Sequence, residues 1–234
     1  MNETRIASPI PGVPGRAPRM LDIQRSATLF AGGYEKKQFL EGTAGDRPIS
    51  LIERPMDEFY IEHWKAFKEV GFPVVPMLRQ SENNTLLVTD VKADGSEVYG
   101  KGLRIMVSEH RKQRTRPRPD VDRRFLALMS SESFKETLSE RLRNYAVTAT
   151  RNNMGLATDD PFELVVRPDG KWKIMMLDLR YARISGIEYP SDHTKLPIDD
   201  TNKRAVKKFE EDLSRLAVFL DPIRGDYLTG NSHK

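Results

Sequence analysis

Apolar and polar positions change period several times along the chain, and each change marks an element. Residues 26–30, 34–40 and 48–53 are short apolar-rich runs separated by Ala31-Gly32-Gly33 and a Gly/Asp turn, a pattern that predicts three antiparallel strands. From Met56 onward the period lengthens. Tyr60, His63 or Trp64, Phe67 and Val70 recur at helical spacing, with Pro55 in the first turn and Gly71 as the stop. Strand character resumes over 72–78 and 85–91, around the turn residues Asn83-Asn84. Two helices are predicted over 120–129 and 131–152; the second carries Leu138, Leu142, Tyr145 and Ala149 at core-facing intervals and opens on Ser131, Glu132, Ser133 and Glu136. Next, Leu164-Val165-Val166, a Pro168-Asp169-Gly170 turn and residues 172–177 spell a tight hairpin. A last helix begins at Asp199 or Asp200, with Val206, Phe209, Leu213, Leu216 and Leu220 as its apolar stripe. There is no internal repeat.

Composition narrows the class. The 234 residues suffice for one large or two small domains, and 38% hydrophobic against 31% charged residues predicts a folded, soluble chain. No run approaches the length of a membrane span, and the N-terminal residues lack the apolar centre of a signal peptide, so the expectation is a cytoplasmic protein with no membrane contact. Pro9, Pro11, Pro14 and Pro18 with Gly12 and Gly15 predict a flexible arm over residues 1–20, without regular structure. The absence of cysteine excludes disulfides, thiolate chemistry and cysteine-held metals, and the four histidines are scattered. Net charge is only +4, yet Arg111, Lys112, Arg114, Arg116 and Arg118 fall within eight residues. A solvated, proline-stiffened loop is the first expectation there. Nucleic acid is a weaker one, because no aromatic residues interleave with the cations.

Candidate chemistry concentrates around the hairpin. Its second strand ends on Asp178, and Asp159, Asp160 and Glu163 stand just before its first. A carboxylate delivered at the end of a buried strand must meet a cation or a hydrogen-bond network to offset its desolvation, and two acidic groups flanking one hairpin suggest a metal-nucleotide site.

This arrangement resembles the protein-kinase-like superfamily, in which a catalytic loop carrying Asp and Asn leads into a hairpin ending on the magnesium-binding Asp of the D-F-G motif. Here that last element is Asp178-Leu179-Arg180; Glu163 falls at the Asn position, Thr158 at the catalytic Asp, and Asp159 and Asp160 one and two residues later. The resemblance extends over residues 25–220. It implies an α+β, two-lobed fold: a small antiparallel sheet with one helix over 21–95 and a mainly helical region over 96–234, with the cleft near residues 89–94.

It also implies a phosphotransferase using Mg-ATP on an unknown acceptor, with Asp159 and Asp160 as catalytic candidates and Glu163 and Asp178 as metal ligands. Gly32 and Gly33 sit where a glycine-rich nucleotide loop would be. The third predicted strand offers Glu53 and Arg54 where a lysine is expected, so Lys36 or Lys37 of the second strand would reach phosphate, oriented by Glu62 or Glu58; Asp90 is the remaining nucleotide-contacting candidate. An Asp on a buried helix braces the catalytic loop in such proteins, and Asp212 is the candidate. The substitutions at Glu53, Thr158 and Glu163 equally suit an inactive pseudokinase serving as a protein-binding or regulatory module, and a protein partner or substrate is expected in either case. A third reading is a P-loop-type nucleotide hydrolase, since residues 95–101 match G-x-x-x-x-G-K, with Gly102 in place of the magnesium-binding hydroxyl.

Overall fold

The computed structural model describes residues 4–7, 20–31, 36–44, 47–55, 58–80, 85–100, 119–157, 161–176, 179, 182–184 and 197–221; before Ser50 it describes the backbone alone. The fold is α+β, and the chain divides into two compact units, Met1–Glu58 with Val75–Gly95 and Phe59–Val74 with Ser96–Lys234.

The first unit is an open antiparallel sheet of six strands: β1 (Thr4–Ala7), β2 (Met20–Ala31), β3 (Lys36–Ala44), β4 (Arg47–Pro55), β5 (Met77–Gln80) and β6 (Thr85–Thr89), in the order β1-β2-β3-β4-β6-β5. β2 is longer than residues 26–30 because its register shifts between Gln24 and Thr28, so a bulge joins two paired stretches into one strand. Thr4–Ala7 departs from the expectation of an arm without regular structure, since it pairs with residues 20–23 of β2. This stretch precedes the first proline, and an edge strand needs only an extended backbone with free N–H groups. Leu86, Leu87 and Val88 of β6, the strand that lies between β4 and β5, are all buried.

The second unit holds the four described helices. The first, α1 (Glu58–Glu69), buries Tyr60, Ile61, His63, Trp64 and Phe67 and ends at Gly71, whose φ of 87° suits a residue without a side chain. Residues 72–76 are not the start of a strand, because Pro73 and Pro76 lack the N–H groups a ladder requires. They form a connector. Its Val74 makes a parallel bridge to Met176, and Pro73 accepts a hydrogen bond from the Met176 N–H at 2.9 Å.

Helices α2 (Pro119–Ser130), α3 (Glu132–Arg151) and α4 (Ile198–Leu220) supply the rest of the helical core. Ser131 caps α3 by accepting from the Phe134 N–H at 3.3 Å, and the helix is closed by Asn153 at φ 51°. Contacts from Thr150 to Asn202 and from Ser139 to Glu210 show that α3 and α4 run antiparallel. Their facing stripes interleave Leu138, Leu142, Ala146 and Ala149 with Ala205, Phe209, Leu213 and Leu216. Strands β7 (Glu97–Tyr99), β9 (Glu163–Val166) and β10 (Trp172–Met175) form an antiparallel sheet in the order β10-β9-β7, and β8 (Met154–Gly155) pairs with β11 (Arg183–Ile184). Among the described residues no helix is long and apolar enough to cross a membrane.

Candidate functional site

Two antiparallel ribbons frame the acidic segments. In the first, Gly155 of β8 lies opposite Arg183 of β11; in the second, Glu163 of β9 lies opposite Met175 of β10. The chain passes from the first ribbon to the second through residues 156–162 and returns through residues 176–182. Each connection has seven residues, and the residues that flank the two are paired with each other, Gly155 with Arg183 at one end and Glu163 with Met175 at the other. The two therefore cover the same span. Their flanks are buried: Leu156, Ala157 and Phe162 in one, Met176, Leu179 and Ala182 in the other. Asp159 and Asp160 belong to the first connection and Asp178 to the second, and all three lie outside the described residues.

The hairpin between the connections forms as its sequence predicts. Arg167 and Lys171 close a three-residue loop, with the Arg167 N–H donating to the Lys171 carbonyl at 2.8 Å and the Gly170 N–H to the Arg167 carbonyl at 3.0 Å. Gly170 takes φ 80°, a conformation costly for residues with a side chain, and Asp169 accepts from the Lys171 N–H at 3.0 Å. That bond holds the exposed Asp169 carboxyl below its usual pKa.

Glu163 begins β9 with only 3% of its surface exposed. A carboxylate so placed needs compensating partners, and its hard oxygens match what magnesium takes. Phe162 beside it is fully buried in an aromatic column. Phe67 meets Phe72 edge-on at 5.0 Å, Phe72 stacks on Tyr145 at 5.2 Å, Tyr145 on Phe162 at 5.5 Å, and Phe162 meets Phe209 at 5.8 Å. Gly100 completes the contact: at φ 110°, a Cβ on it would lie 2.5 Å from Phe209 Cε2 and 3.4 Å from the Phe162 carbonyl oxygen. Three helices and the segments that hold Phe72 and Gly100 thus contribute to the packing around the residue preceding Glu163. Burial also pushes the Tyr145 hydroxyl above its ordinary pKa.

The first connection is braced by Asn202, near the start of α4. Its Oδ1 accepts from the Leu156 N–H at 2.7 Å, and its Nδ2 donates to the Met154 carbonyl at 2.9 Å and to Thr150 Oγ1 at 3.0 Å. The side chain is fully buried, so these bonds are made where water cannot substitute for them. The expectation placed on Asp212 is a brace for the catalytic loop, whose residues 158–160 lie outside the described residues. That carboxylate pairs with Lys208 at 3.0 Å and Arg215 at 3.9 Å on its own helix. The signal for Asn202 was present in the pattern: a polar residue at the helical spacing of the stripe that continues through Val206, Phe209 and Leu213.

The other expected site residues are placed as follows. Gly32 and Gly33 lie outside the described residues; Lys36 and Lys37 are the first residues of β3, opposite Ala31 and Phe30. Glu62 and Glu58 are on the exposed side of α1. Asp90 follows β6, where its N–H donates to the Ser50 carbonyl at 2.9 Å and its carboxylate accepts from the Lys92 N–H at 3.0 Å, shaping the turn over 90–93. Glu53 accepts from the Thr85 hydroxyl at 2.9 Å. Residues 97–99 of the P-loop spacing are strand β7, antiparallel to β9, so this stretch is built into a sheet. Among the described residues, no group of three or more His, Asp or Glu side chains is placed to hold a metal ion. Comparison of the chain with models of protein families, with curated proteins and with solved structures found no match.

Proposed function

We propose that the chain is a divergent kinase-like phosphotransferase using Mg-ATP, with a two-lobed kinase-like fold. One observation carries this reading: two connections of equal length join the same two ribbons, one bearing Asp159 and Asp160 and running into buried Glu163, the other bearing Asp178. The order of helix α3, the β9–β10 hairpin and helix α4 is also the order the kinase resemblance implies.

Glu163 and Asp178 are the residues that would hold magnesium, through hard carboxylate oxygens. When bound, the metal would neutralise charge on the ATP phosphates. Asp160 or Asp159 would position the acceptor hydroxyl and accept its proton, while Asn202 and the aromatic column keep the backbone on either side of them in place. Positioning and charge neutralisation are most of what phosphoryl transfer asks of a protein.

Glu53, engaged with Thr85 where a lysine would be expected, favours a second reading, a pseudokinase that works as a binding module. Calorimetric titration with ATP, with and without magnesium, followed by a phosphate-transfer assay separates the two. Magnesium-dependent binding that Asp178→Asn weakens about tenfold or more, and Glu163→Gln by less, supports the site. Such binding without turnover supports the pseudokinase. No magnesium-dependent binding in the wild type overturns both.

A further inference from the structure

We infer that the outward face of α3 is a docking surface for the same helix of a second copy of this chain, the two helices lying antiparallel about a two-fold axis. Glu132, Glu136, Glu140, Arg143, Val147 and Arg151 make up the face. With helical periodicity they fall within an arc of about 100° on the side away from the buried stripe of Phe134, Leu138, Leu142, Ala146 and Ala149. All six are exposed. Acid and base are segregated along this face, because its three carboxylates precede the midpoint between Arg141 and Leu142 and its two cations follow it. Glu140 and Arg143 stand equally far from that midpoint, as do Glu136 and Val147, and Glu132 and Arg151. In an antiparallel pair with the two-fold axis at the midpoint, Glu140 therefore faces Arg143 of the other copy and Glu132 faces Arg151, each twice.

Within one chain the arrangement is adverse. Glu132, Glu136 and Glu140 follow one another at i, i+4, where like charges repel, and the cations of an antiparallel copy would offset that repulsion. The helix dipole favours acids in the first turn and bases in the last, which accounts for Glu132 and Arg151 but not for Glu140 or Arg143 near the middle. Glu132 meets Lys135 of its own helix at 2.6 Å. Glu136, Glu140, Arg143 and Arg151, by contrast, make no ion pair among the described residues. Val147, at 43% exposure the most open large apolar side chain among the described residues, lies in the same stripe. A face complementary to its own reverse selects a second copy as its occupant. A helix of this length spans about 30 Å, so the contact is small, held largely by charge and weakened by salt. It does not depend on whether the chain transfers phosphate.

The test is sedimentation equilibrium of the full chain at about 50 mM salt, over concentrations from about 1 μM to about 1 mM. Wild type is expected to dimerise within that range, with a Kd about tenfold higher at about 500 mM salt. Glu140→Arg and Arg143→Glu, each alone, set like charges against each other twice per dimer and should each raise Kd about tenfold or more, with an unchanged thermal midpoint. Mixed one to one, the two variants regain both attractive pairs, and a heterodimer with a Kd near that of wild type is expected. Wild type that stays monomeric at about 1 mM overturns the inference. A dimer that neither reversal weakens overturns it as well, assigning the contact to another surface. Reversals that weaken the dimer without recovery on mixing also overturn it, because the two residues would then not face each other. If either reversal loses its thermal transition, Glu140→Gln and Arg143→Gln are read in its place, and an unchanged Kd for both overturns the face.

Discussion

Single residues at this site act through what they exclude or hold. Gly100 excludes a side chain: its φ of 110° strains any other residue, and a Cβ would meet Phe209 at 2.5 Å. Gly100→Ala should cost about 2–4 kcal/mol in urea denaturation, and a loss no larger than that of an ordinary surface substitution would show that the wedge is not tight. Asn202 holds three partners, two of them buried backbone groups of residues 154–156. Asn202→Ala should cost about 2–4 kcal/mol, because it leaves those groups without bonds. Asn202→Asp keeps the acceptor for Leu156 but sets a carboxylate against the Met154 carbonyl, so it too should fall below wild type. Tyr99 answers to pH. Burial first, then the Asp122 and Glu97 carboxylates, raise its hydroxyl pKa well above normal. Its contribution is then complete below the unfolded value of about 10 and is lost as pH rises beyond it. Tyr99→Phe should flatten the decline of the thermal midpoint above pH 10, leaving a smaller slope from Tyr145, whose pKa is shifted in the same direction.

At the scale of elements, the hairpin turn offers a contrast with Gly100. Gly170 has a positive φ but no atom within 4 Å of where its Cβ would be. Gly170→Ala should therefore cost only backbone strain, about 1 kcal/mol, and a loss equal to that of Gly100→Ala would mean that the distinction between strain and collision is wrong. Asp169, with its lowered pKa, stabilises the turn at pH above about 4, and that stabilisation disappears as pH falls further; Asp169→Asn should remove this acid-side dependence in thermal melts. The elements legible in the sequence were those with a strong local signal. The helices starting at Glu58, Glu132 and Ile198 announced themselves by apolar stripes and first-turn residues, and the hairpin by Pro168-Asp169-Gly170. Strand β1 and the two-residue ribbon of β8 with β11 carry no such signal, because their partners are distant in sequence and main-chain pairing demands little of side chains. The connector over 72–76 was misread for a related reason: Phe72, Val74 and Val75 give it an apolar run, but Pro73 and Pro76 deny it a ladder.

Across the whole molecule, the carboxylates of the candidate site were readable as types and positions, while what steadies them was not. Glu163 could be named from its place before the hairpin; that Phe162 would join Tyr145 and Phe209, or that Asn202 would reach residues 154–156, depends on how helices far apart in sequence come together. Hydrogen exchange should show this support directly, with the Leu156 amide among the slowest and exposed by Asn202→Ala while α3 amides such as Leu142 stay protected; equal acceleration of both would mean global rather than local loosening. The paired connections have a further consequence for how this chain tolerates change in length. Because residues 156–162 and 176–182 are anchored to each other at both ends, neither can be lengthened or shortened without moving its acidic residues relative to the other's, as one rail of a track cannot be recut alone. A glycine inserted in either should abolish magnesium-dependent ATP binding if the proposed site is correct. One inserted in the hairpin turn at residue 170, beyond both, should spare it.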